Sequence, residues 1–429
     1  MIYYALHMDP FFNVIISALA FFSIYVQVFF LITFFEKKRH IVWNEANLEL
    51  SSYPTVTIAV PCYNEEKTLP KTVKSLLSLD YPKDKLSIFL VDDGSKDNTW
   101  EVIKSFENYS NIRIFKKENG GKHTALNLAL ENSTSEFFAC LDSDSFVHDQ
   151  SLKRILKTFE RDPRNMAVIP STVIYNPQNI LQTIQRVEYE VNVFAKKMLG
   201  FVGGIQTTPG PLSTFRTKVF DELGPYHKAH NTEDQEMALR MQEHGYRIDC
   251  CHDAYIYTSA PDSLVKLYRQ RVRWSYGYIK NLVDYKHLLF NKKYGTVAIF
   301  TLPVGLISMF GFIFLFSNII YNIIKLIYYK IIQIQSIGFS NVFNFNFKFD
   351  WFFIDVKAIL FFSIILYIIA VAGAFIGKKM AEDNSKFSFS IFYFVLVYSI
   401  ITPFWMLKAL YNAIMSKESS WTFERRVAK

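Results

Sequence analysis

Phe137-Phe138-Ala139-Cys140-Leu141-Asp142-Ser143-Asp144 is the stretch that decides how this chain folds. Its five leading apolar residues are too few for a helix and follow a polar segment, which predicts a buried strand. Two carboxylates then stand at the strand end, one residue apart. In an extended backbone, residues two apart point the same way. Asp142 and Asp144 can therefore share a divalent cation, and a hard cation can in turn hold a diphosphate. The alternative is a solvated turn in which Asp144 or Ser145 caps the next helix.

Upstream, strand-like and helix-like patterns alternate from about Pro54 to Pro170, which predicts an α/β fold with a parallel sheet. Val56 to Val60 reads as a first strand and runs into the loop Pro61-Cys62-Tyr63-Asn64-Glu65-Glu66. A helix follows with Val73, Leu76 and Leu77 on its apolar face. Leu86 to Val91 reads as a second strand, ending in Asp92-Asp93-Gly94-Ser95, and Asn111 to Phe115 as a third. Gly120-Gly121-Lys122-His123 then opens a helix, before the strand that starts at Phe137. Most of these polar clusters directly follow a strand, and ligands of open α/β sheets bind beyond the carboxyl ends of the strands.

Downstream the pattern turns helical. Ile180, Ile184, Val187, Val191, Phe194 and Met198 form one stripe. The stripe belongs either to a buried core helix or to one lying flat on lipid, with Lys196 and Lys197 toward headgroups. Gly203-Gly204 and Pro209-Gly210-Pro211 mark a flexible loop. A helix begins at Asn231-Thr232-Glu233-Asp234-Gln235, where Thr232 and Gln235 have the spacing of a capping box. Pro261 to Asp284 is a further helix carrying Arg269, Gln270, Arg271, Arg273 and Trp274. Gln270, Arg273 and Trp274 share one face of it.

Half of the chain is hydrophobic, and the apolar residues concentrate at its two ends. Phe11 to Phe35 carries no charge and is long enough to cross a bilayer. The basic cluster Lys37-Lys38-Arg39 follows, which keeps the next domain in the cytosol. Val297 to Ile324, Ala358 to Ile376 and Phe387 to Leu407, interrupted by Pro403, are three more candidate spans. Three spans after a cytosolic domain leave the C-terminus outside, whereas Lys417, Arg425, Arg426 and Lys429 argue for inside. Either one segment is re-entrant or Val297 to Gln335 crosses twice. The expected domains are therefore 1–45 (first span and basic flank), 46–290 (cytosolic α/β domain) and 291–429 (membrane region and tail). The localisation is the cell membrane, multi-pass. The net charge of +8 with these apolar runs favours membrane lipids and phosphorylated ligands as partners. No basic, aromatic-interleaved motif points to nucleic acid. Cys62, Cys140, Cys250 and Cys251 form no Cys-x-x-Cys pair and read as reduced, buried side chains.

Pro61-x-Tyr63-Asn64-Glu65, Asp92-Asp93-Gly94, Asp142-Ser143-Asp144, Thr232-Glu233-Asp234 and Gln270-Arg271-Val272-Arg273-Trp274 occur in that order. Together they resemble the family 2 glycosyltransferases, in the membrane-embedded branch of cellulose, chitin, hyaluronan and poly-N-acetylglucosamine synthases. The resemblance implies a GT-A fold, a Rossmann-like, mostly parallel sheet, joined to α-helical transmembrane segments. It implies a UDP-sugar donor, UDP-N-acetylglucosamine or UDP-glucose, with Mg2+ or Mn2+, inversion at the anomeric carbon, and a growing glycan or a lipid as acceptor. It makes Asp144, with Asp142, the metal anchor and Asp234 the general base. Pro61, Tyr63, Glu65 and Asp93 fall to the nucleoside side, Lys122 and Arg273 to the diphosphate, and Gln270 and Trp274 to the donor and acceptor region. Arg269 and Arg271 fit membrane-interface anchors better. A processive polymer synthase is the first expectation, and single-sugar transfer to a polyprenyl phosphate or diacylglycerol the alternative.

Overall fold

The computed structural model describes residues 10–41, 48–337, 359–381 and 390–416. The tail lysines and arginines and the expected span starts at Ala358 and Phe387 lie outside these residues. The core is one eight-stranded sheet: β1 Val56–Cys62, β2 Leu86–Asp93, β3 Ile112–Lys117, β4 Phe137–Cys140, β5 Phe146–Val147, β6 Asn165–Ile174, β7 Ser213–Arg216 and β8 Arg247–Thr258. The strand order is β3-β2-β1-β4-β7-β6-β8-β5. The first four strands are parallel, with Val56 level with both Leu86 and Phe137. β7 runs antiparallel between β4 and β6, β6 and β8 are parallel, and β5 is antiparallel to β8.

Period-two alternation sets the two faces. Val56, Ile58 and Val60 of β1, with Leu86, Ile88 and Leu90 of β2, pack under α2 (Leu69–Leu77), α3 (Thr99–Lys104) and α5 (Ser151–Arg161). Ala59, Phe89, Val91 and Phe138 pack on the other face, against α4 (Lys122–Glu131), α7 (Lys218–Leu223) and α8 (Glu233–Glu243). Every residue of β1 is buried, as expected for a parallel strand covered on both faces. The strands β6 and β8 are absent from the sequence expectation. Pro170 sits inside β6, where the register with β8 shifts between Pro170 and Ser171. A proline is tolerated at such a bulge, and it disguises the strand. All four cysteines are buried and unpaired, as expected.

Among the described residues, four helices are long and apolar enough to cross a membrane. They are α1 Pro10–Lys37, α10 Leu302–Ile337, α11 Ile359–Met380 and α12 Ser390–Ile414. The helix α10 is preceded by a π turn at Val297–Thr301 and continues unbroken for 36 residues. That rules out two crossings between Val297 and Gln335. At 1.5 Å per residue it extends roughly 54 Å, more than a bilayer core of about 30 Å. Pro403 lies inside α12 without ending it.

The striped helix α6 (Ile180–Phe201) is a buried connector, not a helix lying on lipid. One side carries Val193, Phe194 and Met198 against Phe30, Phe34 and Ile376 of α1 and α11. Val187 packs with Ala374 and Ile391. On the side toward the sheet, Lys197 is buried and donates to the Cys250 carbonyl at 2.7 Å, with Asp249 at 3.7 Å. Lys196 is half-buried and turned toward protein too: burial lowers its pKa, against the pull of Cys250 and Asp234. Neither lysine points to headgroups as the lipid-facing alternative required. Lysines with hydrocarbon stems read identically in both settings.

Helices α11 and α6 touch backbone to backbone. A Cβ at Gly377 would collide with the Glu190 carbonyl. Gly377→Val should therefore lower stability by about 2 kcal/mol or more. A fall in melting temperature in detergent, absent in a Gly373→Ala control, is the expected outcome.

Candidate active site

Parallel pairing of β1, β2 and β4 places their polar extensions at one edge of the sheet. The loop after β1 is stitched to the loop after β2. Asn64 donates its N–H to Ser95 Oγ at 3.0 Å, its Oδ1 accepts from Lys96 N–H at 2.8 Å, and Glu65 N–H donates to Thr99 Oγ1 at 2.7 Å. Asn64 has a φ of +57°, a left-handed position that asparagine tolerates. Pro61 closes β1 as a buried residue and Tyr63 is half-buried beyond it. The Glu65 carboxyl accepts from the Thr68 hydroxyl. Burial, with Asp97 and Asp142 nearby, raises its pKa.

Asp92 and Asp93 divide the labour. Asp92 is fully buried and accepts from Ser95 N–H at 3.0 Å, a turn-forming contact. The Asp93 carboxylate organises the next loop. Lys117 Nζ at 2.6 Å and Gly120 N–H at 3.0 Å donate to Oδ1, and Gly121 N–H at 2.8 Å donates to Oδ2. A carboxylate offers about four lone-pair sites, so one on Oδ2 remains for a ligand. Gly121 takes a φ of +92°, and α4 starts one residue later with Lys122. Asp93 thus sets the position of Lys122.

The ammonium of Lys122 bridges two elements. It lies 2.6 Å from Asp142 Oδ1 beyond β4 and 3.2 Å from Glu233 Oε1 at the start of α8. Burial strips water from it, yet the two carboxylates outweigh this and hold its pKa well above the usual lysine value. Gly210 leaves space for the pair, since a Cβ there would collide with both the Asp142 carboxylate and Lys122 Nζ.

Asp142 and Asp144 do come together, although not in an extended backbone. Ser143 and Asp144 form a turn closed by Ser145 N–H on the Asp142 carbonyl at 3.0 Å. The next element is β5, so neither Asp144 nor Ser145 caps a helix. Asp144 opens to solvent, but the surrounding protein strips much of its water. That, with Asp142 and Glu65 close by, pushes its carboxyl up to about 6.

Asp234 stands in the first turn of α8, next to Glu233. Burial and then Glu233 push it up to about 6, against Lys122 and the Gln235 N–H. That N–H donates to Asp234 Oδ1 at 2.9 Å, and the Asp234 carbonyl accepts from Thr208 N–H and Oγ1. The expected capping box does not form. The Thr232 hydroxyl donates to the Ala229 carbonyl at 3.0 Å and accepts from Asn281 Nδ2 of α9 (Leu264–Asp284) at 3.0 Å. Ala229, His230 and Asn231 are all left-handed, with φ of +43°, +56° and +64°. Such positions cost non-glycine residues about 1 kcal/mol or more each. Contacts to α9 hold them: His230 Nε2 lies 2.8 Å from Asp284 Oδ2, and Gly277 has no room for a Cβ beside Thr232.

The arginine of the α9 motif joins the acids. Burial lowers the pKa of Arg273, while Glu233, Asp234, Asp142 and Asp144, in that order, raise it. Gln270 keeps a buried Oε1 without a hydrogen-bond partner. Trp274 faces elsewhere, into a cavity of about 540 Å3 walled by α9, α10 and α12 residues such as Tyr278, Met309, Phe394 and Trp405. Arg271 is no interface anchor. It is 8% exposed, and its Nη2 donates to Glu188 Oε2 of α6 at 2.7 Å. Glu233, Tyr189 and Gly210 also lie at the site; in the sequence Glu233 stands within a motif and Gly210 within a loop, but none of the three is assigned a role there. Burial pushes the Tyr189 phenol up to about 12 against the pull of Arg271, with Glu188, Asp144 and Asp142 adding to the rise. Gly210 was detectable as a glycine flanked by two prolines, while Glu233 was hidden by its plausibility as a helix-start acid.

A divalent cation would find hard oxygen donors here, in Asp142 and Asp144 with Glu65 beside them. Among the described residues no cluster of three or more ligating side chains forms a complete cage. That suits Mg2+ or Mn2+, which take one or two carboxylates and complete their shell with water and phosphate oxygens.

A mixed sheet with this strand order, its carboxylates at the parallel edge and apolar helices alongside, is a GT-A-like fold. The solved mannosyltransferase PcManGT from Pyrobaculum calidifontis, in complex with GDP-Man and Mn2+, shares that fold at a TM-score of 0.55. The match covers 94% of this chain and 100% of that one, at 17% identity. Residues 57–224 match the model described as Glycosyl transferase family 2. It is 30% identical over 270 residues to the poly-beta-1,6-N-acetyl-D-glucosamine synthase of Staphylococcus aureus strain COL. That alignment covers 62% of this chain and 65% of the relative, just under two thirds of it. The synthase of the same name from Staphylococcus epidermidis is 25% identical over 416 residues, 96% of both chains.

The elevated carboxyl of Asp234 has a measurable cost. Its folded value near 6 lies above the ordinary 3.8, so folding takes up a proton between those values. The associated stability is present below pH 4 and is lost as pH rises through 6. At pH 7.5 Asp234→Asn should therefore be more stable than the wild type by on the order of 2 kcal/mol. The difference should vanish near pH 4, as read from melting curves across that range.

Proposed function

We propose that this protein is a membrane-embedded inverting glycosyltransferase that uses a UDP-sugar, UDP-N-acetylglucosamine first, to extend a β-linked polysaccharide on the cytosolic side of the cell membrane. The observation that carries the proposal is the bridge from Lys122 to Asp142 and Glu233. It joins three motifs far apart in sequence, immediately beside Asp234. The synthases of like name and matching length support the polymer, and the four apolar helices support the membrane setting.

In this mechanism Asp144, with Asp142, would hold Mg2+ or Mn2+, which would supply Lewis-acid charge to the departing diphosphate. Asp93 accepts from the nucleoside through its remaining lone pair, with Pro61, Tyr63 and Glu65 shaping that side. Lys122 and Arg273 are the fixed cations nearest the acids and steady the diphosphate. Gln270 has a free acceptor for a donor or acceptor hydroxyl. Asp234 takes the proton from the attacking acceptor hydroxyl. The new C1–O bond forms as the C1–O bond to diphosphate breaks, and UDP leaves with the electron pair. A carboxyl held near 6 suits a base at neutral pH: ionised in most molecules, yet more basic than an ordinary aspartate. Trp274 offers a flat apolar face to an acceptor sugar.

One observation favours a second reading. The cavity beside Trp274 is walled mainly by aromatic and aliphatic side chains of membrane helices, a setting that also suits the hydrocarbon tail of a lipid acceptor.

Purified full-length protein with UDP-N-acetylglucosamine and Mn2+ should make a ladder of oligomers by mass spectrometry. Asp234→Asn and Asp144→Ala should each lose about a thousandfold in rate, roughly 4 kcal/mol of barrier. A single sugar on a lipid would select the second reading. Undiminished transfer by both variants would overturn the site assignment.

A further inference from the structure

Glu188 on α6 is the hub of a small network that the mechanism leaves unused. Its Oε2 accepts from Arg271 Nη2 at 2.7 Å and from the Tyr398 hydroxyl of α12 at 2.6 Å. The guanidinium of Arg271 also lies over the Trp274 ring, 4.5 Å from its centroid. Tyr398 in turn packs edge-on to Trp405 at 5.8 Å and against Phe394 at 4.9 Å. Three helices thus meet at one carboxylate: the connector α6, the motif helix α9 and the last membrane helix α12.

Stability alone is a poor reason for this arrangement. Replacing a buried ion pair by apolar side chains of similar volume is often neutral or stabilising. Arg271 additionally keeps a buried Nε that makes no hydrogen bond. What the network does accomplish is geometric. A cation over one face of an indole fixes that ring while leaving the opposite face available. Because Trp274 lines the cavity, the ring so fixed stands at the cavity wall.

We propose that Arg271, held by Glu188 and Tyr398, is a positioning residue that clamps Trp274 for the acceptor, so that the acceptor end of the site is set by the last membrane helix. The donor end stands on Asp93 and Lys122, and the contacts of Arg271, Glu188 and Tyr398 include neither. The inference rests on the glycosyltransferase reading of the site. It predicts that the acceptor and donor constants separate.

The variant to make is the double substitution Arg271→Met with Glu188→Leu, which leaves no lone buried charge. With UDP-N-acetylglucosamine, Mn2+ and a β-linked N-acetylglucosamine tetrasaccharide, the tetrasaccharide KM should rise about tenfold. The KM for UDP-N-acetylglucosamine should stay within about twofold. Arg271→Lys, which keeps a cation for Glu188, should recover part of the loss. A second measurement needs no turnover. The Trp274 fluorescence, isolated by difference from Trp274→Phe in each background, should lose anisotropy in the double variant. Donor and acceptor KM rising together, or a tetrasaccharide KM that does not move, would overturn the proposal. So would an unchanged anisotropy. If wild-type protein does not extend the tetrasaccharide, the proposed function fails on its own, and the anisotropy alone decides whether Arg271 positions Trp274.

Discussion

Like charges crowded at the edge of the sheet are the constraint that everything else accommodates. Glu65, Asp142, Asp144, Glu233 and Asp234 share one neighbourhood, and a fold under selection for stability alone would disperse them. Two lock-like cations make the crowding tolerable. Lys122 spans Asp142 and Glu233, and Arg273 sits in the field of four of the acids. Burial, and after it the remaining repulsion, holds two of the carboxyls near 6. A ligand that brought both a cation and phosphate would relieve part of this imbalance with each.

Much of this was legible in the sequence because it depends on local pattern. Parallel strands covered on both faces read as apolar runs, and their polar extensions fall at the loops where ligands bind. The first four strands accordingly lie where the pattern puts them, and the helix over Leu264–Asp284 falls within the expected segment. What failed to read depends on partners distant in the chain. Asp142 and Asp144 were paired by strand geometry, whereas a turn brings them together. Thr232 matched a capping box, but Asn281 from another helix claims its hydroxyl. Arg271 looked like a membrane anchor because its partner, Glu188, lies eighty-three positions upstream. Pro170 concealed a central strand, since a bulge is visible only once the neighbouring strand is known.

Asp234 and the motif helix α9 form one mechanical unit. Asp234 follows three left-handed residues whose conformation is unfavourable in isolation. Helix α9 stabilises them through Asn281, Asp284 and the space left by Gly277. The same helix carries Arg273 toward the acids and Trp274 toward the cavity. A displacement of α9 therefore moves Asp234, Arg273 and Trp274 together, which keeps their spacing while altering their distance from the strand ends.

The wedged position of α6 bears on how the molecule can be dissected. Its stripe is covered on one side by α1, α11 and α12, and its buried lysine is tied to β8 on the other. Cutting away the long apolar helices would bare Val187, Val193 and Phe194, and on α9 would bare Tyr276 and Ile279. The α/β portion is thus no detachable head on a stalk. Its floor is made of the same side chains that the long apolar helices cover, and a fragment without those helices would carry that floor as an adhesive surface prone to self-association.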